Sequence, residues 1–70
     1  MKFYQLNALV AVADAGSIRG AAKRLDTSPA AVTKALQKLE ADTATQLLIR
    51  NTSGIAFTEL GKKLLIQARL

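Results

Sequence analysis

The sequence predicts a small, mostly α-helical domain carrying one β-hairpin. Three observations lead there. Half of the 70 residues are hydrophobic but only 4% are aromatic, so Leu, Ile, Val and Ala must build the core. Ala favours helix, and few residues have the character that strands prefer. Apolar residues recur at helical spacing along most of the chain. One segment, residues 47–57, breaks that spacing with two short apolar runs around a cluster of turn formers. Seventy residues suit a single domain with a marginal core.

A first helix is expected over residues 3–15, with Phe3, Leu6, Leu9 or Val10, and Ala13 as its apolar stripe. Its start lacks a Ser, Thr, Asp or Asn cap. Gly16 suits the left-handed residue that ends it. Ser17 can cap a short second helix over about 18–25 through its hydroxyl. Ile18, Ala21, Ala22 and Leu25 form that helix's stripe, and Arg19, Lys23 and Arg24 occupy other positions. Asp26-Thr27-Ser28 is then a tight connection without glycine, in which Asp26 can take the left-handed conformation.

The only proline starts the third helix. Pro29 has no N–H and a fixed φ, which suits the first helical position. It pushes Ser28 out of the α region, to where an N-cap belongs. The helix is expected over 29 to about 42. Val32, Ala35, Leu36 and Leu39 cluster on one side; Ala30, Lys34, Gln37 and Ala41 point the opposite way, flanked by Thr33 and Lys38. Leu25 and Val32 are expected to seal the elbow between the second and third helices.

Leu47–Ile49 and Ile55–Phe57 read as the strands of a hairpin around Arg50-Asn51-Thr52-Ser53-Gly54, with the arginine at the tip. Thr58 can cap a final helix, with Glu59 near its positive end. That helix is apolar on several sides: Leu60, Leu64 and Ala68 on one face, and Leu65, Ile66 and Leu70 elsewhere. It needs cover on several sides, and with no C-cap signal it is expected to be truncated.

Composition narrows the chemistry. Without His or Cys the common nucleophile–base pairs, disulfides and usual zinc ligand sets are missing. The carboxylates Asp14, Asp26, Glu40, Asp42 and Glu59 form no acid/base pair and read as solvated charges and local caps. Glu40 and Asp42, two apart on a helix, do not face each other. No enzyme, cofactor or metal is expected. No apolar run approaches the ~20 residues that span a bilayer. Ten Lys and Arg against five Asp and Glu, a net charge of +5, suggest a polyanionic partner. The third helix has an apolar inner face, a polar outer face and a start free of bulk, as a helix lying in a DNA major groove requires. Three helices followed by a polar-tipped hairpin make a winged helix-turn-helix.

The stretch "GSIRGAAKRLDTSPAAVTKALQKLEADTATQLLIRNTSGIAFTELG", residues 16 to 61, resembles the N-terminal DNA-binding domain of LysR-type transcriptional regulators. Ser17, Ala21-Ala22, Leu25, Ser28, Ala31-Val32-Thr33, Leu36, Leu39-Glu40, Leu47, Arg50, Gly54-Ile55, Phe57-Thr58 and Gly61 fall at that family's pattern positions. The resemblance covers essentially the whole chain. It implies a winged helix-turn-helix domain over 1–58, with the motif at about 18–37 and the wing at about 47–57. Residues 59–70 would begin a linker helix that pairs two subunits, which points to Leu60, Leu64, Leu65 and Ala68. It also implies a C-terminal effector-binding domain, and a small-molecule effector, beyond this chain. There are departures. The family often has Ser-Gln-Pro where Ser28-Pro29-Ala30 stand, commonly Leu-Gly where Thr43-Ala44 stand, and often a basic residue at Ser53. A glutamine contact and a minor-groove arginine are therefore not carried over.

The expected function is sequence-specific binding of a double-stranded DNA operator by a cytoplasmic homodimer. Thr33, Lys34 and Gln37 are candidates for base edges or nearby phosphates. Ala30 and Ala31 would permit close approach or touch a thymine methyl. Ser28 and the amides of the helix start suit a phosphate, and Pro29 beside them is also a DNA-contact candidate. Ser17, Arg19, Lys38, Arg50, Asn51, Thr52 and Ser53 are candidates for backbone positioning. The alternative is a small helical protein-interaction module without DNA specificity; a membrane-surface helix fits less well, because the cations are spread over several elements.

Overall fold

The helical spacing resolves into four helices and one hairpin. The computed structural model describes residues 1–52 and 54–69. Its elements run α1 (Phe3–Ala15), α2 (Ile18–Arg24), α3 (Pro29–Thr43), β1 (Leu48–Asn51), β2 (Gly54–Phe57) and α4 (Glu59–Arg69). Helices α1, α2 and α3 pack on one another, and α4 lies against α1 and β2. One core joins them, built from Ala8, Leu9 and Val12 of α1, Ala21 and Ala22 of α2, Val32, Leu36 and Leu39 of α3, and Leu47 and Leu48. Leu9 and Leu39 have no exposed surface, and burying such a side chain stabilises by about 1.5–3 kcal/mol.

The α1 stripe differs from the expected one. Its buried positions are Gln5, Ala8, Leu9, Ala11 and Val12, while Phe3 is 79% exposed. Phe3 lies two residues before Gln5, about 200° around the helix, and so cannot share its face. Gln5 enters the core because its amide is satisfied there. Its Oε1 accepts from the Lys2 backbone N–H at 2.9 Å, so the glutamine caps a start that lacks a Ser or Asp.

The other helix starts are capped as expected. Ser17 Oγ accepts from Gly20 N–H at 2.9 Å, Ser28 Oγ from Ala31 N–H at 3.1 Å, and Thr58 Oγ1 from Gly61 N–H at 3.0 Å. Gly16 ends α1 in the left-handed region, and Asp26 takes φ 54° in the turn between α2 and α3. Helix α3 ends on Ala44, also at φ 54°. The Ala44 and Thr45 amides return to the Ala41 and Glu40 carbonyls at 3.2 Å. This is a glycine-type stop made with an alanine, at a conformational cost of roughly 1–2 kcal/mol.

The strands pair antiparallel, with Leu48 opposite Phe57, Ile49 opposite Ala56, Arg50 opposite Ile55 and Asn51 opposite Gly54. Arg50 therefore stands inside β1 and not at the tip. Alternation puts it on the same face as Leu48, toward the body of the domain. Ile55 and Phe57 on that face pack against the core. The elbow also differs: Val32 is buried, but Leu25 is 38% exposed. With Tyr4, Asn7, Thr27 and Ala31 they line an open depression of about 280 Å³.

Helix α4 is fixed at both ends. At its start Gly61 is buried against the Leu47 peptide. A Cβ there would overlap the Leu47 carbonyl oxygen and lie 3.1 Å from its carbon. At its end Arg69 pairs with Asp14 of α1 at 2.7 Å. The hydrogen bond from the Arg69 guanidinium, with its charge, holds the Asp14 carboxyl below its ordinary value of 3.8. Between them Leu64 and Leu65 are half-buried on the core and Ile66 is exposed, as is Leu60 just before Gly61.

Two glycine exchanges should act in opposite directions under chemical denaturation. Ala44→Gly is expected to stabilise by about 1 kcal/mol, and Gly61→Ala to destabilise by about 3 kcal/mol or more. The Asp14–Arg69 contribution should be present above pH 3.8 and lost as the pH falls through the lowered native value. Urea midpoints of wild type and Asp14→Asn should thus differ at neutral pH and converge in acid.

Candidate nucleic-acid interface

Helix α3 divides cleanly. Val32, Ala35, Leu36 and Leu39 are buried, and Ala30, Ala31, Lys34, Gln37, Lys38 and Ala41 are exposed. Thr33 lies on the boundary, half-buried. The first turn presents only Pro29 and two methyl groups, so a ligand surface can approach its amides closely. Ser28 Oγ accepts from the Ala31 amide. The hydroxyl proton remains available as a donor, which suits an anionic oxygen beside the positive end of the helix.

The wing is held to α3 at two points. Glu40 Oε2 accepts from the backbone N–H groups of Leu47 and Leu48, at 2.7 and 3.2 Å. Those amides sit on buried residues at the entry to β1, and a carboxylate acceptor makes such bonds roughly twice as strong as neutral ones. Farther out, Arg50 Nη2 donates to Thr33 Oγ1 at 3.1 Å. The structure thus brings together two candidate residues 17 positions apart, one from the wing and one from α3.

The remaining candidates sit as follows. Arg19 is exposed on α2, and Ser17 is half-buried with its oxygen engaged as the α2 cap. Asn51 and Thr52 are exposed at the end of the wing. Ser53 lies outside the described residues. Of the carboxylates, Glu40 is a structural acceptor and Asp14 an ion-pair partner of α4, so neither is simply solvated. Asp42 lies 3.8 Å from the N-terminal amine, and Glu59 lies 3.5 Å from Lys62; these are the weak surface kind. Sequence reasoning from the residues missed the Glu40 and Gly61 roles. The only signal was that both stand at pattern positions of the resembled family.

The match to the family model for bacterial regulatory helix-turn-helix proteins of the lysR family spans residues 3–62. The chain belongs to the LysR family. It is 45% identical over 69 residues to the HTH-type transcriptional regulator TcbR of Pseudomonas sp. (strain P51), covering 99% of this chain and 24% of TcbR. Over 58 residues it is 45% identical to the transcriptional activator TtdR of Escherichia coli (strain K12), covering 83% of this chain and 19% of TtdR. Among solved structures it resembles the DNA-binding domain of CbnR in a DNA complex. There the TM-score is 0.94 at 45% identity, over 99% of this chain and 79% of that one. The BenM DNA-binding domain in complex with catB site 1 DNA gives a TM-score of 0.94 at 28% identity. The chain therefore spans about a quarter of the length of a curated relative such as TcbR. Four helices and a two-stranded hairpin, superimposable on these domains, make the LysR-family winged helix-turn-helix. Among the described residues, no helix is long and apolar enough to cross a membrane.

The Glu40 link should be measurable in this LysR-family domain. Glu40→Ala leaves two buried amides without their acceptor and is expected to lower unfolding free energy by about 2–3 kcal/mol. Glu40→Gln, which keeps one acceptor oxygen, should cost about half as much. Urea titrations followed by helical circular dichroism would check both.

Proposed function

We propose that this LysR-family domain binds double-stranded DNA sequence-specifically, as one half of a homodimer in a cytoplasmic transcriptional regulator. The observation that carries the reading is the division of α3. Its apolar side is wholly consumed by the core, and its other side offers Lys34, Gln37 and two small residues to a partner. An ordinary bundle helix does not need so bare a first turn. The net charge of +5 and the likeness to DNA-complexed domains support it.

In this reading α3 enters the major groove, which admits a helix. Gln37 suits adenine, to which its amide can bond bidentately, and Lys34 suits guanine O6 or N7. Thr33 reaches a base edge or adjoining phosphate, and Ala30 and Ala31 allow the groove floor to come close. Ser28 and the free amides at the start of α3 receive a phosphate, and Pro29 packs beside it without donating. Ser17, Arg19, Lys38 and the wing residues Arg50, Asn51, Thr52 and Ser53 fix register on the backbone. Leu60, Leu64, Leu65 and Ala68 form the pairing face of α4. Leu64 and Leu65 divide their surface between the core and that face, and the exposed Ile66 extends it. A small-molecule effector would act through a C-terminal domain of the kind the family carries.

Selection from a random duplex pool should yield a two-fold symmetric consensus, with half-sites a helical turn or a multiple apart. Affinity for it should fall with salt on a log–log slope of about 0.9 per phosphate neutralised. Gln37→Ala should cost about 1–3 kcal/mol and relax preference at particular base pairs. Lys38→Ala should weaken all sequences alike and reduce the slope by about 1. Salt-independent binding, or equal behaviour of the two variants, would count against the reading.

A further inference from the structure

The contact between the wing and α3 carries a consequence for which atoms the domain can read. A threonine hydroxyl inside a helix commonly turns its proton back to the carbonyl one turn earlier. Thr43 does this here, donating to Leu39 O at 3.0 Å. Thr33 behaves otherwise. Its oxygen accepts from Arg50 Nη2 at 3.1 Å, and among the described residues no protein atom accepts its proton. A guanidinium has donors and no acceptor, so Arg50 can only occupy a lone pair of the hydroxyl and can never receive its proton.

We infer that Arg50 is a positioning residue for specificity: by donating to Thr33 Oγ1 it sets the Thr33 hydroxyl as a hydrogen-bond donor, which reads an acceptor atom on a base edge. The inference rests on the DNA-binding reading above. The acceptors that qualify in the major groove are guanine O6 and N7, adenine N7 and thymine O4; the amino groups of cytosine and adenine are disfavoured. Arg50 occupies one of the two acceptor lone pairs and leaves the proton free, which biases the hydroxyl toward donating. Without Arg50 both lone pairs are open and the hydroxyl can rotate and serve as donor or acceptor, so discrimination drops while the side chain stays in place. The strand geometry makes the arrangement reproducible. Arg50 shares the body-facing side of β1 with Leu48, whose burial fixes the strand's rotation, and the Glu40 carboxylate fixes its entry. The guanidinium has five N–H donors, so Arg50 can hold Thr33 and still approach a phosphate. Its two roles separate by readout: a phosphate contact scales all affinities by one factor, whereas the setting of Thr33 changes the preference at one base pair.

The test uses the purified protein and its selected duplex, with each base pair of the half-site replaced in turn. Thr33→Val, which removes the hydroxyl and keeps the shape, should flatten the preference at one base pair by about fivefold, the worth of one net hydrogen bond. Arg50→Met should flatten the same base pair by a similar factor, on top of any uniform loss. The double variant should discriminate no worse than Thr33→Val alone, and Thr33→Ser should retain the preference. Thermal melts check that each variant is folded, which is expected because Arg50 and Thr33 are outside the core. A common factor across all duplexes for Arg50→Met, with an unchanged preference, overturns the inference and leaves the DNA-binding reading standing. So does a Thr33→Val variant with unaltered preference, or additive losses of discrimination in the double variant. If the wild type shows no preference for any duplex, the DNA-binding reading fails, and this inference with it.

Discussion

The peptide groups around Leu47 hold the second half of the molecule to the first. The Leu47 N–H gives its hydrogen bond to the Glu40 carboxylate, and its carbonyl takes one from the Thr58 amide at 3.0 Å. Its side chain is fully buried, and the backbone of Gly61 rests against its carbonyl. Thr58 adds a hydroxyl bond to Gln46 O at 2.8 Å. A buried backbone group must find a partner, and here the partners come from the end of α3 and the start of α4. The hairpin between them is only two four-residue strands, and such a hairpin is marginal alone. It acquires a defined orientation because both of its ends are tied to this node.

Electrostatics reinforces the same layout. A carboxylate at the C-terminal end of a recognition helix is an unfavourable neighbour for a polyanion. Glu40 avoids that role because two amides point at its oxygen and draw the charge toward the interior. Asp14 is likewise compensated by Arg69. Over the first three turns of α3 what remains toward solvent is cationic or neutral, Lys34, Lys38, Gln37 and the alanines, and the exposed acid Asp42 stands only at the far end of the helix. The Asp14–Arg69 pair removes one charge of each sign and leaves the net excess unchanged, whereas Glu40 is taken up by backbone amides, so the solvent-facing surface of α3 is more cationic than its sequence alone suggests.

Much of this architecture was legible in the residues because it is local. Ser17, Ser28-Pro29 and Thr58 announce helix starts through interactions three residues long, and Gly16 announces an end. The α3 stripe followed from periodicity alone. What was not legible depends on segments meeting. Phe3 looked like a core residue because it is large and apolar, yet Gln5 has the better angle and an amide that the Lys2 backbone satisfies. Arg50 looked like a tip residue until strand pairing fixed its face. Glu40 and Gly61 have no local pattern that marks them, since their partners are seven or more positions away. Ala44 showed that a helix can stop in the left-handed region without glycine when the following amides find carbonyls to bind.

The fixing of α4 at Gly61 and Arg69 has a mechanical consequence. The two points are eight residues apart, about 12 Å along the axis. One is a backbone-to-backbone seat that admits no sideways play. The other is a solvent-facing ion pair, sensitive to ionic strength and acid. Between the two points Leu64 and Leu65 rest on the core, so the helix axis is set by the seat, these side chains and the ion pair together. The direction in which α4 departs from the domain therefore depends on the Asp14–Arg69 pair as well as on the seat at Gly61.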